Sequence, residues 1–243
     1  MKQRVVISLL IIASVCLLLC LRRDVRNYLG AYVDRKFRGK TVEDRLIEYG
    51  PAARARWMPY FKKASTDYPP AQVALIAFKD EARMLVYVSG SSNDWKYVRE
   101  YRILAASGEI GPKLREGDRQ VPEGVYRIES LNPNSQFHLS LRIGYPNDFD
   151  REQGTRDGRS KLGGDIMIHG SAVSIGCLAM GDEGAEDLFV LAAETGLARI
   201  TAIISPIDFR TGRTVATNNL PDWTSQLYAQ IARRLRDFPE GKQ

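Results

Sequence analysis

A chain of 243 residues that is 44% hydrophobic can bury the core of one catalytic-sized domain and is too apolar to be disordered. A net charge of +6 and a pI near 9.2 favour anionic surroundings such as a cell-wall polymer or a phospholipid surface. Nucleic acid is not expected as a partner: the basic residues are dispersed, with neither a zinc-finger spacing nor an aromatic RNA-binding motif. Of the three cysteines, Cys16 and Cys20 fall in an N-terminal apolar run, so Cys177 has no partner for a disulfide and too few companions for a structural zinc site. No metal and no cofactor are implied.

In chain order, Lys2 and Arg4 precede the almost wholly apolar stretch Val5 to Leu21, so residues 1–23 read as a signal peptide or signal anchor. No small-x-small site follows, which favours an uncleaved anchor. Val15 and Leu19, standing before Cys16 and Cys20, argue against lipidation. Residues 24–67 read as a helical spacer. Within it Thr41 caps a helix carrying Val42, Leu46 and Tyr49 that Gly50-Pro51 ends, and a second helix, Ala52 to Ala64, is interrupted at Pro59.

Tyr68-Pro69-Pro70 opens a domain over residues 68–206. The hydrophobic period becomes two, giving strands at Val73 to Phe78, Met84 to Ser89 and Trp95 to Leu104. Gly108 to Glu123 is a long loop whose charges Lys113, Arg115 and Asp118 read as solvated, and Gly124 to Ile128 resumes a strand. Gln136 to Ile143 alternates, with Phe137, Leu139, Leu141 and Ile143 on one face and His138, Ser140 and Arg142 on the other. After Gly144-Tyr145-Pro146-Asn147 a polar loop runs to Gly164, and Asp165 to Ile168 is a short strand. Asp182 caps a helix whose Leu188, Leu191 and Ala192 face the core, and Ala198 to Ser205 is the last strand. Residues 207–243 form a helical extension, Asp222 to Phe238, docked through Trp223, Leu227, Ile231 and Leu235. The fold class is mainly β with flanking helices (α+β).

Chemistry concentrates between Asp165 and Met180, which holds one of two histidines and the only cysteine outside the apolar run. A thiol is a few per cent thiolate at neutral pH, and an imidazole beside it can take its proton and leave a reactive ion pair. Cys177 is the candidate nucleophile and His169 the candidate base. Gly176 permits dihedrals closed to other residues, so N–H groups around Cys177 could face a developing oxyanion. The Gly170 carbonyl or Ser174 is nearer to orienting His169 than Asp165, which shares its strand parity. The competing reading is a buried structural cysteine and a satisfied strand-end histidine.

His169-Gly170 followed by Ser174-Ile175-Gly176-Cys177 resembles the signature of the L,D-transpeptidase catalytic domain (YkuD-type), specifically its YafK-like murein branch. The resemblance runs from about Tyr68 to Pro206. It takes in Gly111-Pro112-Lys113, Arg115-Glu116-Gly117-Asp118, Val121 to Tyr126, Asn132 to Ser135 and Gly144 to Asn147. It implies a β-sandwich or barrel core, Cys177 as nucleophile and His169 as proton donor and acceptor. The reaction implied is attack on a diaminopimelate-containing stem-peptide amide of peptidoglycan through an acyl-enzyme. It also implies a periplasmic domain held to the inner membrane, with stem peptides or a wall-linked protein as partners, and His138, Tyr145 and Arg115 as substrate-contact candidates. His138 can equally be an exposed strand residue. Ile175 stands where the general pattern has a second histidine, and the loop from His169 to Cys177 is shorter than is typical, so transfer to an amine and transfer to water are both open. The alternative from another class is a non-catalytic peptidoglycan-binding module.

Overall fold

The computed structural model of the chain describes residues 39–90 and 94–240. The apolar stretch expected to be a signal or anchor lies outside them, and among the described residues no helix is long and apolar enough to cross a membrane.

Helix α1 (Val42–Lys63) is continuous through Pro51 and Pro59, where two pieces were expected. Each proline removes a backbone hydrogen bond and costs about 3 kcal/mol in a helix interior. Tertiary packing offsets that cost, because Gly50, Ala53, Trp57 and Phe61 recur at three- and four-residue steps and are all buried. Burying Trp57 or Phe61 contributes roughly 4–6 kcal/mol each by area.

Among the described residues nine strands follow: β1 (Gln72–Phe78), β2 (Arg83–Ser89), β3 (Lys96–Arg102), β4 (Ala105–Ala106), β5 (Gly124–Ser135), β6 (His138–Ile143), β7 (Met167–His169), β8 (Leu178–Ala179) and β9 (Ile200–Ser205). They make one sheet in the order β3-β2-β1-β9-β5-β6-β7-β8-β4. Strands β1, β2 and β9 read as nearly unbroken apolar runs because both faces are covered. One face carries Val73, Leu75, Met84 and Val86 into the main core with Leu139, Leu141, Ile168 and Leu178 from the far half of the sheet. The other carries Ile76, Phe78, Leu85 and Tyr87 against the last helix. This is the expected β-rich core with flanking helices.

Strand β5 joins the two halves, pairing first with β9 (Gly124↔Ile204 to Arg127↔Thr201) and then with β6 (Ile128↔Ile143 to Ser135↔His138). It was expected to span Gly124 to Ile128 and instead continues to Ser135. The register shifts between Asn132 and Ser135, so Pro133 falls in an irregular stretch where its missing N–H breaks no ladder bond.

Helix α2 (Asp148–Arg156) occupies part of the expected polar loop. Asn147 and Asp150 form a reciprocal capping box there, but Asp148 to Arg156 has no apolar stripe from which a helix could be read. Helix α3 (Asp182–Thr195) has Gly181, not Asp182, at its N-cap. Asp182 lies one residue inside, and its carboxylate accepts from the Ser171 N–H at 2.8 Å. Trp57 Nε1 donates to the Asp187 carbonyl, and the Arg56 and Arg99 guanidiniums close on the Asp187 carboxylate, pinning α3 to α1 and β3. Helix α4 (Thr224–Leu235) docks on the sheet through Leu227, Tyr228, Ile231 and Leu235, flanked by Trp223 and Phe238.

Candidate active site

Two short strands place the chemistry. β7 runs antiparallel to β6, with His169 opposite Ser140, and parallel to β8, with Ile168 opposite Leu178 and His169 opposite Ala179. One residue before β8, Cys177 therefore stands opposite Met167. The β7–β8 pairing thus brings the segments carrying His169 and Cys177 side by side, two ladder positions apart. The Met167 N–H donates to Cys177 Sγ at 3.4 Å, and the thiol faces the Asp165 carbonyl at 3.8 Å.

His169 is buried and its Nδ1 lies 2.6 Å from the Gly170 carbonyl. A carbonyl only accepts, so Nδ1 carries the proton and Nε2 keeps the basic lone pair. Gly170 is thus the orienting group, and it could not be larger: a Cβ there would meet Asp182 Oδ1 at 2.6 Å and the Phe137 carbonyl at 2.8 Å. No direct hydrogen bond joins the imidazole to the thiol among the described residues. Burial pushes the His169 imidazole below its ordinary value, against the Gly170 bond. Burial also pushes the Cys177 thiol up, and the Met167 N–H and Lys113 only partly oppose it. At neutral pH the resting pair is a neutral thiol and a neutral imidazole rather than the ion pair expected from the residue types.

The amides expected to face an oxyanion are both engaged. The Cys177 N–H donates to Ser174 Oγ at 3.1 Å, and that hydroxyl donates to the Cys177 carbonyl at 2.6 Å. The Gly176 N–H, at φ 99°, donates to Ser107 Oγ, which itself donates to the Arg119 carbonyl at 2.8 Å. Ser107 was not singled out from sequence. It follows β4, whose pairing with β8 (Ala106↔Leu178) brings it beside Cys177 from 70 residues away, and no local pattern carries that.

Phe137 was also missed. Alternation assigned it to the core face, but His138 has φ 73°, which ends the strand pattern there. Phe137 instead stacks on the His169 ring, centroids 4.7 Å apart at 30°, while remaining 39% exposed. His138 points elsewhere: its Nε2 is 3.0 Å from Glu186 and its ring meets the edge of Tyr49.

A cleft of about 110 Å³ opens beside Cys177, lined by Lys113, Glu116, Arg119, Asp165, Ile175 and Gly176 among others. Lys113, expected to be solvated, is 7% exposed because its ammonium bonds to Asp118 and to the Arg115 carbonyl. Although burial pushes the Asp118 carboxyl up, Lys113 and the N–H groups of Leu114, Arg115 and Gln120 outweigh it and hold the carboxyl below the usual range. Arg115 is exposed and is not among the cleft residues. Tyr145 is buried beneath them, its hydroxyl donating at 3.3 Å to the carbonyls of Lys113 and Leu162. Lys79 and Glu123, a buried ion pair at 2.9 Å, anchor this loop: Lys79 reaches the carbonyls of Gly111 and Val121, and Glu123 accepts from the Gly111 N–H.

Residues 72–204 match the YkuD family, described as the L,D-transpeptidase catalytic domain. YafK of Escherichia coli (strain K12), which carries the L,D-transpeptidase name provisionally, is 35% identical over 133 residues, 54% of this chain and 51% of that protein. The chain thus matches over about half the length of this relative. Among solved structures, the helical cell shape determining protein Pgp2 of Campylobacter jejuni aligns with a TM-score of 0.46 and 17% identity, covering 70% of this chain and 71% of the other. L,D-transpeptidase 1 of Mycobacterium tuberculosis aligns with a TM-score of 0.32 and 15% identity, covering 55% and 62%.

Proposed function

Because the chain belongs to the YkuD family of L,D-transpeptidase catalytic domains, we propose that it is a peptidoglycan-modifying cysteine enzyme acting on diaminopimelate-containing stem-peptide linkages. The observation that supports this reading is the pairing of β7 with β8, which brings the segments carrying His169 and Cys177 side by side, together with the Gly170 carbonyl on His169 Nδ1.

With both groups neutral at rest, proton transfer accompanies attack instead of preceding it. His169 Nε2 takes the thiol proton as Cys177 Sγ bonds to the amide carbonyl carbon, and the carbonyl electron pair moves to oxygen. The Gly176 and Cys177 N–H groups receive that oxyanion once the Ser107 and Ser174 hydroxyls give way. Collapse breaks the C–N bond, the departing amine takes the proton from the imidazolium, and a thioester remains. Water or an acceptor amine then attacks the thioester, giving its proton to Nε2, and Sγ leaves and is reprotonated. Phe137 keeps the imidazole in place and dry. The proposal includes a periplasmic setting, with the apolar N-terminal stretch as the tether to the inner membrane.

One observation favours the alternative of a wall-binding module: both amides beside Cys177 are already bonded to hydroxyls. Incubating the full chain with purified muropeptides in ¹⁸O-labelled water and following products by mass separates the readings. Loss of a diaminopimelate-linked bond with label incorporated identifies a hydrolase, and a new cross-link or exchanged terminal residue identifies a transpeptidase. Unchanged fragments that nevertheless bind the protein would leave the binding module as the better account.

A further inference from the structure

The cleft beside Cys177 carries charges of both signs, and they differ in how they are engaged. Lys113 is bonded to Asp118, and Asp165 pairs with Arg142 at 3.0 Å. Glu116 and Arg119 are exposed, and their side chains make no hydrogen bond or ion pair among the described residues, not even with each other across the cleft they share. Unpaired opposite charges lining one small cleft are complementary to a ligand that carries both charges on neighbouring atoms. A simple anion would meet Glu116 and Asp165, and a simple cation would meet Lys113 and Arg119.

The size agrees. A volume of about 110 Å³ is several times what a single water needs and admits a small polar head group. The lining backbone is also unusual. Arg119 and Asp165, neither of them glycine, have φ 56° and 55°, beside Gly117, Gly163 and Gly176 at 74°, 83° and 99°. Non-glycine residues adopt this region rarely, and such conformations persist where surrounding structure holds them. Here Ser107 holds Arg119, through its carbonyl, to the amide of Gly176 next to the nucleophile.

We propose that this cleft is a subsite for a zwitterionic amino-acid head group, Arg119 receiving its carboxylate and Glu116 its ammonium. This rests on the reading of Cys177 as nucleophile only in that the head group then belongs to the substrate or to the acceptor amine. In the assignment of a carboxylate contact, Arg119 takes the place that sequence reasoning gave to Arg115.

The test is calorimetric binding of alanine, which carries a single amino-acid centre, to the full chain carrying Cys177→Ala, compared with alaninamide and N-acetylalanine. The free zwitterion is expected to bind about tenfold more tightly than either derivative, one charge-assisted hydrogen bond for each group blocked. Arg119→Gln should erase discrimination against the amide alone, and Glu116→Gln discrimination against the acetyl derivative alone. Equal affinity for all three ligands, no binding of any, or a uniform loss in both variants would overturn the proposal. Muropeptide turnover by the Cys177 protein, run in parallel, reports on the nucleophile independently: turnover without discrimination sinks only the subsite, and discrimination with turnover intact in Cys177→Ala sinks only the nucleophile.

Discussion

Replacing Phe137 by alanine removes the ring stacked at 4.7 Å on His169 and opens one face of an imidazole that is otherwise 2% exposed. Since Phe137 is itself 39% exposed, its lost burial is limited to about 2–4 kcal/mol by area, an upper value. The stacking itself is worth about 0.5–1.5 kcal/mol, which corresponds to roughly a two- to tenfold fall in kcat if it is used to hold the base. The pH profile is the sharper readout. Burial keeps the His169 pKa below its ordinary value, so the neutral base survives to lower pH than a solvated histidine would allow. Admitting water raises that pKa toward about 6.5, and the acid limb of kcat/KM on muropeptides should move to higher pH. Phe137→Trp should keep the limb near its original place. A fall in kcat with an unmoved acid limb would show that Phe137 acts only on stability and would refute the positioning argument.

Gly170→Ala should lower both the melting temperature and kcat, by about 1–3 kcal/mol of overpacking, because the new Cβ meets the Phe137 carbonyl and Asp182 Oδ1 at under 3 Å. Unchanged unfolding and kinetics would contradict that close approach. Lys79→Met leaves Glu123 as an unpaired buried carboxylate and should cost about 3–5 kcal/mol in urea unfolding, most of it recovered by adding Glu123→Gln. A single variant as stable as the parent would remove the loop anchor from the account. Asp150, raised by burial to about 6 from 3.8, binds its proton more readily folded than unfolded. Its contribution is fully present below the unfolded pKa and is lost as pH rises through about 6. The stability of the parent relative to Asp150→Asn should therefore fall by up to about 3 kcal/mol between pH 3.5 and 7, and a flat difference would disprove the shift.

Elements whose signal is local were legible from sequence. Val73 to Phe78, Met84 to Ser89 and Ala198 to Ser205, the last of which begins at Ile200 in the structure, declare themselves as apolar strands because both faces of that half of the sheet are covered. The eight-residue spacing of His169 and Cys177 permits one loop between them, and that loop joins β7 to β8, a strand that the sequence did not show. What escaped sequence reasoning depends on distant partners. Pro51 and Pro59 look like helix ends until α3 is present to receive Trp57 and Arg56. Lys113 looks solvated until Asp118 and the Arg115 carbonyl close on it. Phe137 follows the alternation of its strand until the positive φ of His138 takes it out of register, and Ser107 reaches the Gly176 amide only through the pairing of β4 with β8. Each is longer-range structure overriding a local pattern.

The most direct measurement compares the full chain with Cys177→Ala and His169→Ala on purified muropeptides, with thermal unfolding recorded for all three. The account expects both variants to fold with little change in melting temperature while product formation falls by several orders of magnitude in Cys177→Ala and by at least a hundredfold, on the order expected for a general base, in His169→Ala. Product formation by folded Cys177→Ala at the parent's rate would contradict an acyl-enzyme on that sulfur.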